Sequence, residues 1–509
     1  MIRIVIASLL LASAAMAHAS GCVRPGDSLF ADNFQPAGNV YYVAKSGRNA
    51  ADGSLPQPWL TIQHAVARAV AGDTVCVRAG VYNEIVSINT SGTAAAPLTL
   101  QSEPGETATI DGTGLTVPGN QWGLITLSDV SHITVAGFEL RNYKRATSAD
   151  VPIGLYVTGA GAGIRLIGNH IHDIANTASG CAANAFGLKV DGTHAPASID
   201  GIVIDDNEID HLTLGCSESF SLDGNVEHFT IRGNRVHDTN NIGIGAIGFE
   251  GVAPNAVYDQ ARDGTISDNL VYNITSFGNP AYGNQYAADG IYVDGGTRIV
   301  IERNVVHHVD LGIELASEHS GRTTSHVIAR NNLVYFGNSA GISIGGYDAS
   351  VGGTDQCTIV NNTLFNNDQQ NTGSGELQIQ YHATDNAIEN NIVVAGYPAI
   401  MLNAFTSDTA APASLDHNLY FPYAVTSIWV WRGQTYMQFD AYTAAAAQDA
   451  HSISEPPQFV DTVTPDLHVA TGSPAVGNGV DLGATVIGTS DVAGHPRVVG
   501  AVDIGAYEQ

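Results

Sequence analysis

Acidic side chains recur at the ends of short segments in which apolar and polar residues alternate. Asp191, Asp223 and Asp294 each follow such a segment and precede a glycine. If the segments are neighbouring strands, the carboxylates of Asp191 and Asp223 lie about 5 Å apart. Two carboxylates at that distance repel each other, so either one takes up a proton or a cation bridges them. These three residues and Glu314 form a predicted Ca²⁺ site, because oxygen ligands suit a hard cation. Alternatively, the aspartates are solvated residues of Asp-Gly turns.

The segment GIELASEHSGR, residues 312–322, brings carboxylates, an imidazole and a guanidinium together in sequence. His319 is the predicted catalytic base, because an imidazole titrates near neutral pH. Arg322 is a candidate to bind a substrate carboxylate or to stabilise an enolate. Glu314 is a further catalytic candidate and Glu318 a substrate-binding one. The alternative interpretation is a solvated loop.

Lys189 is the competing base, and the only other lysines are Lys45 and Lys144. Aligning the alternating segments predicts two outward columns of side chains, because stacked repeats keep equivalent positions in register. The first column contains Tyr156, Lys189, Ser221, Gly245, Tyr292, Glu314, Ser343 and Gln378, and the second Thr158, Asp191, Asp223, Ile247, Asp294, Ala316, Gly345 and Gln380. Tyr292 is included among the catalytic candidates. The alternative for Lys189 is an inert, exposed lysine on a strand.

Two insertions, residues 248–264 and 275–290, interrupt the repeat beside these columns. They carry aromatic rings on which sugars could stack, and loops on a rigid scaffold commonly carry function. The substrate-binding candidates in the insertions are Glu250, Tyr258, Tyr282 and Tyr286. Alternatively, the aromatic rings pack the insertions onto the scaffold.

The scaffold itself is a sequence repeat. Its units share a short motif in which Asn is followed, two residues later, by Ile, Val or Leu. The asparagines of the successive motifs are Asn169, Asn207, Asn234, Asn269, Asn304, Asn332, Asn362 and Asn391, at spacings of 38, 27, 35, 35, 28, 30 and 29 residues. Periods of this size indicate a solenoid. Short alternating strands without intervening helices predict an all-β, right-handed parallel β-helix. The asparagines are predicted to bond to backbone groups and to one another at one turn.

Composition excludes several classes of partner. The 509 residues carry a formal charge of −29, with 20 Lys+Arg against 49 Asp+Glu. Such a chain offers no basic field for nucleic acid or for an anionic membrane surface. Charged residues make up 14% and glycines number 56, which is typical of a β-rich protein with many turns rather than of disorder. No later segment is long and apolar enough for a membrane span.

The N-terminal residues predict export. Residues 1–19 have the pattern of a secretory signal peptide, so the mature protein is expected to be secreted or periplasmic. A lipid anchor at Cys22 is the alternative. The remaining chain is divided into a linker (20–40), the β-helix (41–440) and an irregular C-terminal capping region (441–509). A helix over Thr61 to Asp73 is predicted to cap the N-terminal end of the solenoid.

Five cysteines in an oxidising compartment allow one or two disulfides, with one cysteine left over. The favoured pair is Cys181 with Cys216, which fall in loops of adjacent coils in the repeat alignment. The alternative is that they are small buried residues.

The segment from Tyr41 to Glu84 resembles the N-terminal part of secreted β-helix polysaccharide lyases, of the chondroitinase B and alginate lyase type and the pectate lyase family nine type. The ending from Ser473 to Glu508 resembles the tail of many secreted bacterial β-helix proteins. With the repeat, the resemblance covers nearly the whole mature chain. β-Helices carry lyases, hydrolases, epimerases and adhesins alike, so the resemblance bears more on fold than on chemistry.

One segment also resembles the Glu-x-x-Ser-x-Lys-Ser stretch of chondroitinase B-type lyases. The resemblance implies that Glu314 binds calcium, that Ser317 is the serine and that His319 stands at the catalytic lysine. This chain departs from the pattern because histidine replaces lysine and Gly312 stands where another metal-binding glutamate is expected.

The leading hypothesis is therefore a secreted monomeric polysaccharide lyase that cleaves a uronic-acid glycan by β-elimination, with Ca²⁺ and a His or Lys base. The alternative is a glycoside hydrolase that draws two carboxylates from Asp294, Glu314, Asp289 and Glu250. The acidic groove favours this alternative, because a polyanionic substrate must meet positive charge. A third possibility is a non-catalytic surface or adhesion protein.

Overall fold

A computed structural model describes Cys22 and residues 38–406, 412, 414–423 and 426–509. The predicted signal peptide and most of the predicted linker lie outside the described residues. Among the described residues, no helix has the length and hydrophobicity needed to cross a membrane.

Three parallel sheets wind around one apolar core, and each coil contributes a strand to each sheet in turn. The first sheet consists of Val40–Val43, Thr74–Val77, Leu98–Ser102, Ile133–Ala136, Arg165–Ile167, Val203–Asp205, Thr230–Arg232, Thr265–Ser267, Val300–Glu302, Ile328–Arg330, Thr358–Val360, Ala387–Glu389 and Ser414–Asp416. The second sheet consists of Gly80–Tyr82, Ala108–Asp111, Phe138–Arg141, His170–His172, Glu208–Asp210, Arg235–Thr239, Leu270–Ile274, Val305–Val309, Leu333–Tyr335, Thr363–Phe365, Ile392–Ala395 and Leu419–Pro422.

The third sheet consists of Val86–Ile88, Gln121–Ser128, Val151–Gly159, Phe186–Gly192, Phe220–Gly224, Ile244–Ile247, Asp289–Asp294, Leu311–Ala316, Ile342–Ile344, Leu377–Ile379, Ile400–Ala404, Ile428–Trp431 and the antiparallel Gln434–Tyr436. Short strands at the corners and near the C-terminus are Lys144–Arg145, Gly161–Ala162, Ala175–Asn176, Ile199–Asp200, Val226–Glu227, Thr323–Ser325, Gly353–Asp355, Ala383–Thr384, Phe459–Asp461 and Asp466–Val469. The helices are Ile62–Val66, Phe439–Ala446 and Ala484–Ile487. The predicted parallel β-helix is confirmed.

The repeated asparagines form a buried ladder between the first and second sheets, as predicted. Each Nδ2 donates to the Oδ1 of the next asparagine, for example from Asn269 to Asn304 at 2.9 Å and from Asn304 to Asn332 at 3.0 Å. The same Oδ1 also accepts the backbone N–H of the preceding asparagine. The ladder continues to Asn418, where Ser452 takes over as acceptor of the backbone N–H. These asparagines are structural because they satisfy polar groups that the turn buries.

The first outward column has the predicted register on the third sheet. Tyr156 pairs with Lys189, Lys189 with Ser221, and Ser221 with Gly245. The column continues through Tyr292, Glu314, Ser343 and Gln378. In the second column Asp191 pairs with Asp223 on the adjacent strand, as predicted. Alternation therefore determines which side chains share this face.

The two ends differ from the prediction in detail. The N-terminal helix covers only Ile62–Val66, with Thr61 as its N-cap, because the chain turns after Ala67 toward the strand Thr74–Val77. At the other end, Phe439–Ala446 covers the last rung, and its Tyr442 packs on Trp429. The residues that follow do not all cap the end. Ile487 and Val502 instead pack on Val360, on the outer side of an earlier coil.

Two disulfides are present. Cys181 pairs with Cys216, which confirms the predicted bond. Cys22 pairs with Cys76, so its sulfur is engaged within the chain and does not fit the alternative of a lipid anchor. Cys357 is free and buried. The disulfides are compatible with an extracellular location.

Candidate active site

The outward face of the third sheet gathers most of the predicted site residues. Its centre is Tyr292, whose ring packs against Ile242, Ile247 and Ala316 in a small apolar cluster. The Tyr292 hydroxyl donates to Oε1 of Glu318 at 3.3 Å. Burial raises the pKa of Tyr292 well above its usual value, and the negative charge of Asp294 adds to the shift. Tyr292 is therefore a hydrogen-bond donor rather than a base.

Asp289 and Glu314 form a carboxyl pair on neighbouring strands beside Tyr292. Their carboxyl groups share a hydrogen bond when one of them is protonated. Burial raises the pKa of Glu314 to about 7. Burial also raises the pKa of Asp289 well above its usual value, with the charge of Glu314 as the next cause. The pair therefore holds a proton near neutral pH.

Asp294 lies two residues after Tyr292, at the next outward position of the strand Asp289–Asp294. Its Oδ1 accepts the backbone N–H of Glu318 at 2.9 Å, and the residue is only 2% exposed. Burial raises the pKa of Asp294 well above its usual value, and the nearby charge of Glu318 raises it further. Burial likewise raises the pKa of Glu318. The surroundings favour the protonated form of Asp294.

The first insertion brings Glu250 back over this strand. Glu250 Oε1 lies 3.1 Å from His319 Nε2, and the Glu250 side chain is 46% exposed. One ligand atom each from Glu250, Asp294 and His319 lies within 4.8 Å of the other two. This trio could hold a metal ion with two oxygens and one nitrogen, or act as a pair of carboxyl groups beside an imidazole.

Arg322 stands at the rim of an open pocket beside that trio. Its guanidinium lies over the ring of Phe249, 4.8 Å from the ring centre. Phe249, Pro254, His319 and Arg322 line the pocket, which has a volume of about 500 Å³. The structure thus brings His319 and Arg322 together, as the sequence suggested. It also places Glu250 beside His319.

Lys189 forms a hydrogen-bonded ion pair with Asp191, which lies two residues later on the same strand. Lys189 Nζ, the Tyr156 hydroxyl and Gln121 Nε2 all donate to Oδ2 of Asp191, at 3.0, 2.8 and 2.8 Å. Lys189 also lies over the ring of Phe186. A lysine held in this way is less free to act as the base than the sequence suggested.

Asp223 faces Asp191 from the adjacent rung. Burial raises the pKa of Asp223 to about 8, although Lys189 works in the opposite direction. Oδ1 of Asp191 and Oδ1 of Asp223 are both buried without a hydrogen-bond partner. Two bare carboxylate oxygens on adjacent rungs fit a hard cation.

The four predicted Ca²⁺ ligands do not converge on one point. Asp191 and Asp223 share adjacent rungs, whereas Asp294 is associated with Glu250 and Glu314 is bonded to Asp289. The reason is that Ile247 occupies the second column between Asp223 and Asp294. Of the four predicted ligands, Asp191 and Asp223 are the two that lie on adjacent rungs and could share a cation.

The three tyrosines predicted to bind substrate from the insertions lie in different surroundings. Tyr282 lies near the site, where the charges of Glu218 and Asp289 act on its hydroxyl. Burial is the main cause that raises the pKa of Tyr282. Tyr286 stacks on Phe277 at 5.0 Å, which is packing within its own insertion. Tyr258 closes a turn, with its carbonyl accepting the N–H of Gln260.

Sequence reasoning missed Glu218 and Gln121. Glu218 precedes the strand Phe220–Gly224, outside the alternation, and reaches the face because Gly245 has no side chain there. Burial raises the pKa of Glu218 to about 7. Gln121 begins its strand one rung before Tyr156. An acidic residue beside a glycine of the next rung is a signal that could have found Glu218.

Residues 41–193 match the family described as a Pel9A-like right-handed β-helix region. Over 445 residues the chain is 37% identical to the uncharacterized protein YwoF of Bacillus subtilis (strain 168), covering 87% of this chain and 93% of YwoF. Among solved structures, pectate lyase Pel9A superposes with a TM-score of 0.50 at 14% identity, covering 93% of this chain and 97% of Pel9A. The complex of XylC with xylose superposes with a TM-score of 0.50 at 13% identity, covering 92% and 98%. The predicted right-handed β-helix is confirmed.

Proposed function

The chain belongs to the right-handed β-helix family that includes YwoF of Bacillus subtilis, and we propose that it is a carbohydrate-active enzyme that hydrolyses glycosidic bonds. Glu250 and Asp294 are the proposed reacting carboxyl groups. The proposal does not rest on fold, because a β-helix supports several reactions.

The observation that carries the proposal is the contrast between two adjacent carboxyl groups. An oxygen of Glu250 and an oxygen of Asp294 lie within 4.8 Å of each other. Asp294 is buried in surroundings that favour its protonated form, whereas Glu250 is exposed and contacts His319. Two carboxyl groups in opposite environments are the requirement for an acid and a nucleophile in glycoside hydrolysis.

The roles follow from these environments. Asp294 donates its proton to the glycosidic oxygen as the bond to the leaving sugar breaks. Glu250 attacks the anomeric carbon, and water then releases the sugar while Asp294 accepts a proton from that water. The contact with His319 orients the Glu250 carboxylate, and the Tyr292 hydroxyl holds Glu318 beside Asp294.

The scarcity of unpaired cations on this face favours hydrolysis of a glycan over cleavage of a uronate chain. Lys189 is bonded to Asp191, and His319 is in contact with Glu250. A polyanionic glycan needs positive charge along its binding site, and Arg322 is the remaining free cation among the described residues of this face.

A second candidate function is a cation-dependent polysaccharide lyase acting on a uronic-acid glycan. It is favoured by the bare, buried oxygens of Asp191 and Asp223 and by the likeness in fold to pectate lyase Pel9A. Asp191 and Asp223 would hold Ca²⁺, which would neutralise a uronate carboxylate when bound. Lys189 and His319 are the available bases on this face. The family match over residues 41–193 includes Lys189 and Asp191 but ends before Glu218.

Product analysis separates the functions. The mature protein is incubated with neutral and uronic-acid polysaccharides, with Ca²⁺ or with a chelator. New reducing ends without ultraviolet absorbance from an unsaturated sugar support hydrolysis. Ca²⁺-dependent absorbance from an unsaturated sugar end supports the lyase, and binding without products contradicts both.

A further inference from the structure

Beyond the carboxyl cluster, the outward face of the third sheet, which would form the floor of a binding groove, changes character toward its C-terminal end. Glu314 is followed in register by Ser343, Gln378 and Asn403. These three rung-to-rung steps cover roughly 14 Å at about 4.8 Å for each step. The floor therefore passes from carboxyl groups to a hydroxyl and amides, with no charged side chain at these positions.

The amides form a short network that leaves one acceptor free. Gln378 Oε1 accepts from Ser343 Oγ at 3.2 Å and from Gln380 Nε2 at 2.9 Å. Gln380 is only 7% exposed, yet its Oε1 is buried without a hydrogen-bond partner. A buried amide oxygen without a protein partner is costly, so a donor from a ligand on this face would stabilise it.

Aromatic side chains stand beside this floor. Tyr347 is 59% exposed and follows the strand Ile342–Ile344, near enough to Glu318 and Asp294 for their charges to act on its hydroxyl. Tyr381 follows on the next coil, where its backbone pairs with Gly346. Phe405 continues the series, with its ring centre 5.7 Å from that of Tyr381. An apolar wall with a few placed polar groups is typical of a small-molecule binding site.

We infer that Ser343, Gln378, Gln380 and Tyr347 form a subsite for uncharged sugar units of the same glycan, on the C-terminal side of the cleaved bond. The inference rests on the proposed function and deepens it by naming the substrate class. Sugar hydroxyls donate to the free Gln380 oxygen, and ring faces stack on Tyr347. A uronate is disfavoured here, because the four residues of the subsite offer no cation to neutralise its carboxylate.

Binding is measured by calorimetry on the Glu250→Gln variant, which is expected to bind without cleaving. The probes are xylo-, manno-, cello- and galacto-oligosaccharides of four to six units, with an oligogalacturonide of the same length as the anionic probe. At least one neutral series is expected to bind more tightly than the oligogalacturonide. Adding Tyr347→Ala or Gln380→Ala is expected to weaken that binding at least tenfold.

The matched control is Tyr423→Ala, which removes an exposed tyrosine that packs on Phe365 and Phe421 of the second sheet. It is expected to leave the affinity unchanged. The inference is overturned if no neutral oligosaccharide binds, if the oligogalacturonide binds best, or if Tyr347→Ala has no effect.

The two proposals can fail separately. Neutral sugar binding that depends on Tyr347, in a wild-type protein that releases no reducing ends, would contradict the proposed function and support the subsite. Hydrolysis that is unaffected by Tyr347→Ala and Gln380→Ala, at substrate concentrations below KM, would contradict the subsite and leave the proposed function standing.

Discussion

Asp289 and Glu314, on neighbouring strands of the third sheet, are hydrogen-bonded to each other through their carboxyl groups. Asp289 is only 2% exposed, and one of its oxygens has no partner. Such a pair cannot lose both protons without leaving two adjacent buried charges. The pair keeps protons in the native state that the unfolded chain releases.

The first prediction concerns stability and pH. Burial raises the pKa of Glu314 and Glu218 to about 7 and that of Asp223 to about 8. Between the ordinary carboxyl pKa and these values the native state binds more protons than the unfolded state, so stability falls as pH rises. In a chelator, thermal unfolding is expected to show a lower Tm at pH 8 than at pH 5.5. Each group contributes up to about 1.4 kcal/mol per pH unit.

Glu314→Gln is the matched variant for this effect, because a neutral amide cannot titrate. It is expected to flatten the pH dependence of Tm between pH 5 and pH 7. A Tm that rises steadily toward pH 8 in the wild-type protein would contradict the protonated state of the cluster.

The second prediction concerns the reacting carboxyl groups. Glu250→Gln and Asp294→Asn are each expected to lower kcat by at least about 100-fold, because each removes either the nucleophile or the acid. Initial rates of reducing-end release measure the effect. Asp461→Asn, at a partly exposed aspartate in the C-terminal region, is the control. Full activity in Glu250→Gln would remove Glu250 from the mechanism.

The third prediction is the stereochemistry of hydrolysis. One carboxyl oxygen of Glu250 lies within 4.8 Å of one carboxyl oxygen of Asp294, a closer approach than the roughly 6.5–9.5 Å between carboxyl groups that leaves room for a water in inverting enzymes. The first sugar released is therefore expected to keep its anomeric configuration. Proton NMR recorded in the first minutes of the reaction distinguishes the two anomers, and an inverted product would mean that this pair does not react directly.

The fourth prediction concerns cation binding at Asp191 and Asp223. Ca²⁺ at pH 8 is expected to raise Tm, because a cation would neutralise the two bare oxygens on adjacent rungs. At 100 times the Kd the gain is about 2.7 kcal/mol. Asp223→Asn is expected to abolish the shift, whereas Asp461→Asn keeps it. An equal shift in all three proteins would place Ca²⁺ binding elsewhere.

The fifth prediction tests the asparagine ladder. Asn304 accepts two hydrogen bonds from Asn269 and donates to Ile266 and Asn332. Asn304→Ala leaves these buried groups without partners, at about 1–3 kcal/mol for each group. We expect a loss of at least about 3 kcal/mol in urea unfolding. Asn478→Ala, at an exposed asparagine, is expected to change stability by less than about 0.5 kcal/mol.

The sequence by itself determined the fold, the asparagine ladder and the register of the first outward column. Period-two alternation decides which face each side chain takes, and a repeated turn fixes the step from coil to coil. The pairs Tyr292 with Glu314 and Asp191 with Asp223 therefore followed from alignment of the repeats alone. The pairing of Cys181 with Cys216 followed in the same way.

Only the tertiary structure decided which of these groups meet. Glu250 contacts His319, 69 residues away, because an insertion without periodicity folds back over the strand. Glu218 reaches the face through the space above Gly245, which no alternation pattern predicts. Aligning the repeats had already placed Ile247 between Asp223 and Asp294, but only the structure shows that Asp294 lies beside Glu250 and His319 instead of sharing a metal site with Asp223. The insertions have no sequence period, and the depth to which the folded chain buries an outward carboxyl group determines whether that group keeps its proton.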